Sequence, residues 1–435
     1  MKPAIHATPR YAGPMILTTL VLGGGAGQGL WTEHLVQLML MPALFLGLAG
    51  FGSNRLSNPA RIATMAVIAV LCVQFIPVTR PIPLVGEGEP GFWSLTPQRS
   101  LESALFTIGT VGFFLFVASM DDRNQQRCIP FFYAGLCLQT AIAVVQLSYG
   151  QTTVLTGLLP YDVYTGLFAN ENHFSSLVIA MMPLLAFTFI VQAKNPAGYA
   201  TVCALLVMIL FAVGSRAGMA LSAAMAVLSL VWFALGKGKR RLKLSALAIG
   251  IAGLGGCIWA FDIYGELGED RRFVIFETTW TAILQYWPLG SGLGSFPLVY
   301  PGFEQTTDIT TTYINHAHND YLEVVLELGA AGVVLIAGYF LLVSRNMFNS
   351  KLAQAASLSI IVLSLHSIID YPMRTMSLAL TFAFLSACAL SQPSQAPEKT
   401  SRRSRSRPGN SHRVEIPREH RAVYRDGDRL PTQRR

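Results

Sequence analysis

Residues 315–343, NHAHNDYLEVVLELGAAGVVLIAGYFLLV, place two histidines, two asparagines and an aspartate directly before a long apolar run. The run from Tyr321 to Val343 is 23 residues long, and its only charges are Glu323 and Glu327 near the start. About 20 such residues cross a hydrocarbon core of about 30 Å. The stretch reads as a transmembrane helix whose entrance carries titratable groups, and the same pattern recurs along the chain.

Twelve apolar segments can be marked: 13–31, 34–52, 60–79, 101–119, 129–148, 173–193, 198–214, 217–235, 244–262, 321–343, 352–370 and 373–391. The first two can also be read as a re-entrant pair. Of the 435 residues 52% are hydrophobic and only 13% charged, too few charges to clothe a soluble protein of this length. The expected fold class is all-α: a polytopic integral membrane protein of about 12 transmembrane helices over residues 1–391. A large periplasmic loop, 263–320, precedes helix 10. Residues 398–435 hold twelve Lys/Arg and five Asp/Glu, so +7 of the net +8 lies there. Residues 392–435 therefore read as a disordered basic cytoplasmic tail that meets membrane lipids rather than nucleic acid. The six cysteines fall in or beside apolar runs with no CxxC spacing, which suits packing rather than metal or redox work.

Short-loop Lys and Arg set the orientation. Arg10, Arg55 with Arg61, Arg123 with Arg127, Lys194, GKGKRRLK (236–243) and Arg345 with Lys351 alternate onto one side, with both termini cytoplasmic. The opposite face then carries 80–100, 149–172, the turn VGSRAG (213–218), the loop 263–320 and DYPMR (370–374). The long loop is rich in Gly, Pro and aromatic residues, so it is expected to fold over the membrane.

The candidate site gathers on that outer face. Arg216 alone reads as a snorkelling anchor, but a lone Arg on the outer side goes against the positive-inside pattern, which favours an anionic ligand. Arg271 and Arg272 begin an amphipathic stretch, and a guanidinium fork suits bidentate contact with phosphate. Asn319 or Asp320 can cap the helix from about Tyr321. His318, at the positive helix end, is expected to be neutral and able to accept a proton. Glu323 and Glu327, four apart, share one helix face. Two arginines on a diphosphate and a neutral histidine on a hydroxyl describe glycosyl transfer from a lipid-linked diphosphate at the outer leaflet, with inversion. No Asp-x-Asp motif occurs in an outer loop, so no metal and no cofactor are expected, and arginine would carry the charge.

These residues resemble the O-antigen ligase and polymerase superfamily. His318-Asn319, nine residues and then Gly329-Ala-Ala-Gly332 match its H-N-x9-G-x-x-G pattern. GSRAG (214–218), RFVIFETTW (272–280) with PLGSGLGSF (288–296), GLFANENHFSSLVIAMMPLL (166–185) and HSIIDYPMR (366–374) resemble its other motifs. The resemblance implies that Arg216 and Arg272 bind undecaprenyl diphosphate and that His318 activates the acceptor. Asn319, Arg271, Asn170, His173, Glu323, Glu327, Asp370 and Arg374 are secondary candidates. It further implies a bacterial inner membrane location, an undecaprenyl-diphosphate-linked glycan as donor, and lipid A-core or a second lipid-linked glycan as acceptor. A protein O-oligosaccharyltransferase and a secondary transporter are the alternatives. A transporter would show interrupted helices, charges near the midplane and repeats. Membrane O-acyltransferases want His-x4-Asp, which His316 and Asp320 do not supply, and the His316/His318 pair lacks a third metal ligand.

Overall fold

The computed structural model describes residues 9–25, 31–79, 90–149, 165–235, 238–263, 271–309 and 313–393. The expected tail lies outside them from residue 394 onward, as do 80–89, 150–164 and parts of the 263–320 loop. Helices dominate: α1 (Pro9–Leu22), α2 (Trp31–Ala49), α3 (Asn58–Val73), α4 (Pro97–Ala118), α5 (Asp122–Tyr149), α6 (Glu171–Ala186), α7 (Pro196–Val213), α8 (Arg216–Ala234) and α9 (Arg240–Ile263). They continue as α10 (Arg272–Tyr286), α11 (Phe296–Val299), α12 (Asp320–Asn346), α13 (Lys351–His366) and α14 (Met376–Leu390). Between α3 and α4 a short antiparallel ribbon pairs β1 (Pro77–Thr79) with β2 (Pro90–Phe92), Val78 opposite Gly91.

Each expected segment falls on a helix. Among the described residues seven helices are long and apolar enough to cross a membrane: α2, α4, α5, α6 with the π-turn Phe187–Gln192 that extends it, α7, α8 and α12. Helices α3, α13 and α14 are apolar but shorter. Three expected segments end at least four residues early, and one of them is α3, which stops at Val73 before the β1 strand. Helix α1 stops at Leu22, where three glycines follow. Helix α13 stops at His366, because residues 367–375 leave the helix to wrap the start of α12.

Burial separates a central layer from a lipid-facing one. Every residue of α6 from Asn172 to Ala186 is buried, as expected of an apolar helix enclosed on all sides. It packs on α8 and α13, with α14 beside them. Helix α7 is equally apolar yet leaves Leu205, Met208 and Phe211 exposed, as Phe45 is on α2 and Val334 on α12. Such patches would be a liability in water and are ordinary against acyl chains.

Helix α12 departs from the straight span expected. Gly329 takes φ 58°, ψ −136°, breaking the helix nine residues in. The glycine loop after α10 fills the break: Ser291 N donates to Leu326 O (2.8 Å), Gly292 N to Glu327 O (2.9 Å), and Ala330 N to Pro288 O (2.9 Å). An unpaired peptide group in hydrocarbon costs several kcal/mol, so this docking is what makes the break tolerable. A Cβ on Gly329 would collide with Pro288 O, and one on Gly290 (φ 77°) with Glu327 O. H-N-x9-G and P-L-G-S-G are thus two halves of one joint. The loop also builds a small core of its own against the start of α12, from Ile283, Tyr286, Phe296, Tyr300 and Leu326.

Candidate active site

The turn 315–320 is fixed from both ends. Asn319, rather than Asp320, caps α12: its side chain accepts from Tyr321 N (3.0 Å) and Leu322 N (3.1 Å). Its amide also donates to Ile368 O (2.8 Å). Asp320 turns aside and accepts from Ser367 Oγ (2.8 Å) and Met373 N (3.2 Å). Glu323, only 1% exposed, reaches back to the turn. Its Oε1 lies 2.9 Å from His316 Nδ1 and its Oε2 accepts from Ala317 N at 2.9 Å. One carboxylate therefore holds the two residues immediately before His318.

Arg374 closes the other side of Glu323. Its Nε lies 3.4 Å from Glu323 and 3.7 Å from Asp320, and both terminal nitrogens sit 3.2 Å from Glu327 Oε2. Three acids on one face of the first half of α12 thus share one guanidinium from the α13–α14 turn. Buried charges survive only when paired in this way. This ion cluster, rather than substrate phosphate, occupies Arg374.

A histidine cluster packs around Tyr371. The Tyr371 ring meets His173 and His318 edge-on, each with centroids 4.8 Å away, and lies 4.6 Å from the His316 ring. Its hydroxyl hydrogen-bonds the Asn170 side chain, and burial pushes the phenol's pKa up, so it stays protonated. His173 and Asp370, both 0% exposed, approach to 3.7 Å. His366 Nδ1 lies 2.8 Å from Ser176 Oγ. Among the described residues both His173 ring nitrogens, His366 Nε2, Asp370 Oδ2 and His318 Nδ1 are buried without a hydrogen-bond partner.

Arg216 and Arg272, the two arginines expected at phosphate, and the secondary candidate Arg271 are placed differently. Arg272, first residue of α10, is half-buried and donates to Ile369 O (3.2 Å), and its charge acts on His318 and Asp370. Arg271 turns outward to Asp308 O (2.8 Å). Arg216 is exposed at the first position of α8. It follows Ser215, whose hydroxyl caps α8 and bonds Asn172 Oδ1 (3.0 Å). Asn170, two residues earlier, caps α6 (2.7 Å to Asn172 N) and meets Tyr371. The N-termini of α6, α8, α10 and α12 are therefore tied together around the α13–α14 turn. Their macrodipoles all present the positive end to one place, which suits an anion.

His318 sits in the middle of this arrangement with φ 51°, a conformation that among the described non-glycine residues only Lys194 shares. Strain of this kind is held by surroundings that over-determine it. Its pKa is lowered, as expected, with burial the leading cause; Asp370 opposes it and the Arg272 charge acts in the same direction as burial. Beside the cluster runs a cavity of about 430 Å3 between α2, α3, α4, α12 and α14. Val67, Leu71, Phe106, Leu328 and Ile336 line it, and His316, Asp320 and Arg374 belong to the same lining.

The sequence reading did not single out His366, Tyr371 or the part His316 plays. A signal for two of them was present: HSIIDYPMR sets a histidine four residues before an aspartate and a tyrosine beside it. What it could not show is that Tyr371 is the shared wall of three imidazoles.

An α-helical membrane protein with a buried histidine, arginine and carboxylate site where several helix termini meet is the class these observations define. Residues 201–337 match the model of the O-antigen ligase family. The match bears out the resemblance to the ligase and polymerase superfamily and supports a membrane enzyme of the O-antigen ligase type. It covers α7 to most of α12, and with them Arg216, Arg272, the glycine loop, His318 and the joint at Gly329. His173, Asp370 and Arg374 lie outside it. No curated protein matches the chain.

Proposed function

We propose that the chain transfers a glycan from an undecaprenyl-diphosphate donor to an acceptor hydroxyl, at the periplasmic face of a bacterial inner membrane. Twelve crossings with both termini cytoplasmic put the histidine cluster on that face. The observation that carries the reading is His318: neutral, strained, with Nδ1 unpartnered, beside Arg272 and among the helix N-termini.

In the reaction His318 takes the proton as the acceptor oxygen attacks the anomeric carbon. The bond from that carbon to the diphosphate oxygen breaks, and the configuration inverts. Arg216 and Arg272, with the helix N-termini, hold the charge gathering on the departing undecaprenyl diphosphate, so the leaving group needs no proton. The apolar cavity beside Arg374 suits a polyprenyl or acyl chain. Glu323, Asn319 and Asp320 position the His318 turn, Asp370 and His173 back Tyr371, and Arg271 serves the outer loop.

The break in α12 is a feature that transporters share. Here, however, the freed peptide groups are taken by the glycine loop instead of facing a path across the membrane. The deciding experiment places purified protein in liposomes with an undecaprenyl-diphosphate-linked oligosaccharide, with and without lipid A-core. Lengthened glycan without added acceptor identifies a polymerase, and product only with lipid A-core a ligase. Neither product would refute transfer between lipids and leave the protein-acceptor and transport readings.

A further inference from the structure

A second cavity, of about 390 Å3, lies at the opposite end of α12 and α13 from the histidine cluster. Helix α12 runs 27 residues, about 40 Å, between the two. This cavity is lined by Lys239, Arg240, Lys243 and Lys351 and, among the described residues, by no carboxylate. Orientation alone needs basic residues in a loop; it does not need one of them buried.

Lys243 is only 4% exposed. Its ammonium lies 3.3 Å from Gln354 Oε1, an oxygen that already accepts from Trp232 Nε1 at 3.0 Å. The like-charged Lys351 stands beside it. Among the described residues, a buried ammonium whose neighbours are another cation and a shared amide oxygen lacks the counter-charge that buried cations ordinarily have.

The stems are braced so that the charges stay together. Lys243 Nζ sits 5.4 Å over Trp232, the Arg240 guanidinium 4.7 Å over Phe348, and Lys351 Nζ 5.9 Å over Phe233. Trp232 and Phe348 stack on each other at 5.9 Å. Ser350 caps α13 (2.9 Å to Ala353 N), so the positive end of that helix opens on the same space.

We propose that this cavity binds a phosphate group at the membrane face opposite the histidine cluster. A guanidinium and ammoniums converging from α9 and α13 on a helix N-terminus suit a tetrahedral, multiply negative group better than a single planar carboxylate. The phosphate comes either from the headgroup of an anionic phospholipid, since basic pockets between transmembrane helices recognise such headgroups, or from a soluble phosphorylated molecule.

The test uses the full chain, purified in neutral detergent and in phosphatidylcholine nanodiscs. Phosphatidylglycerol binding is counted by native mass spectrometry, and inorganic phosphate and pyrophosphate are titrated by calorimetry. The variants are Arg240→Gln/Lys351→Gln and, as a control, Arg127→Gln, an exposed arginine near the start of α5 that does not line the cavity. The double variant is expected to lose about tenfold or more in affinity and the control less than about twofold. Phosphatidylglycerol binding that inorganic phosphate does not displace identifies a lipid headgroup. Phosphate or pyrophosphate binding without retained lipid identifies a soluble ligand. Equal binding by wild type and double variant, or an equal loss in the control, overturns the proposal. Should the double variant not fold, Arg240→Gln alone is read against the same thresholds.

Discussion

Glu323→Gln tests how the site is held together. The carboxylate makes two hydrogen bonds of 2.9 Å, to His316 Nδ1 and to Ala317 N, and stands 3.4 Å from Arg374 Nε. Glutamine has nearly the same shape but only one accepting oxygen. If that oxygen keeps Ala317, the new amino group faces His316 Nδ1 and forces the other tautomer. If it keeps His316, the amino group meets the Ala317 N–H donor to donor. Either way both contacts lose their charged acceptor and one is reversed or broken, a loss of about 1.5–3 kcal/mol at a buried site. Arg374 meanwhile loses one of its three counter-charges. Expressed in the position of His318, the same free energy lowers kcat by about 10- to 100-fold. KM for the lipid-linked donor stays within about twofold, because the phosphate arginines are untouched. The assay is glycan transfer in liposomes with saturating donor, paired with thermal unfolding in detergent, where the midpoint is expected to fall. Wild-type kcat together with a wild-type midpoint would show that Glu323 does not hold the turn. A fall in the midpoint with kcat unchanged would show that it holds the fold without steering His318.

His318→Ala is expected to abolish transfer while leaving expression and membrane insertion intact; substantial residual transfer would remove it as the base. Arg216→Lys is expected to be nearly as damaging as Arg216→Ala if the guanidinium grips phosphate with two nitrogens, and full activity in the Lys variant would reduce Arg216 to a point charge. Because burial lowers the His318 pKa below its ordinary 6.5, the proton-accepting neutral form persists into mild acid. The acid limb of the rate should therefore be centred below pH 6.5; one centred above pH 6.5 would contradict this. Gly329→Ala puts a Cβ against Pro288 O at φ 58°, and a loss of about 2–4 kcal/mol is expected as a lowered unfolding midpoint in detergent. An unchanged midpoint would mean that the joint is pliable.

Much of the helical plan was legible because crossing a bilayer leaves a direct mark: long apolar runs, punctuated by charge. Helix ends were less so. Residues 367–370 were expected to continue α13, yet Ser367, like Met373 beyond the turn, is drawn off to bond Asp320, a partner far away in sequence. The break at Gly329 was hidden for the same reason, since the amides that compensate it come from a loop dozens of residues earlier. His318, Arg272 and the acids stood out locally by residue type at the entrance of an apolar run, although their partners Tyr371, Ile369 and Arg374 are distant in sequence. Tyr371 did not, because its importance arises only when α6, α12 and the α13–α14 turn meet. The choice between Arg271 and Arg272 turned on which side of α10 faces the bundle, something one residue of register decides.

The three acids of α12 and their shared guanidinium also constrain how the chain is made. Asp320, Glu323 and Glu327 leave the ribosome before Arg374, which follows Glu327 by 47 residues. Each unpaired acid carries an insertion cost of up to about 3 kcal/mol near a helix centre. The first half of α12 is therefore poorly suited to enter lipid when it is synthesised. Lodging these acids in the folded bundle depends on the α13–α14 turn, which alone among the described residues brings a positive charge to all three. The last hairpin of the bundle thus serves as a latch on the first half of α12, and a chain truncated ahead of Arg374 would leave Asp320, Glu323 and Glu327 without that counter-charge.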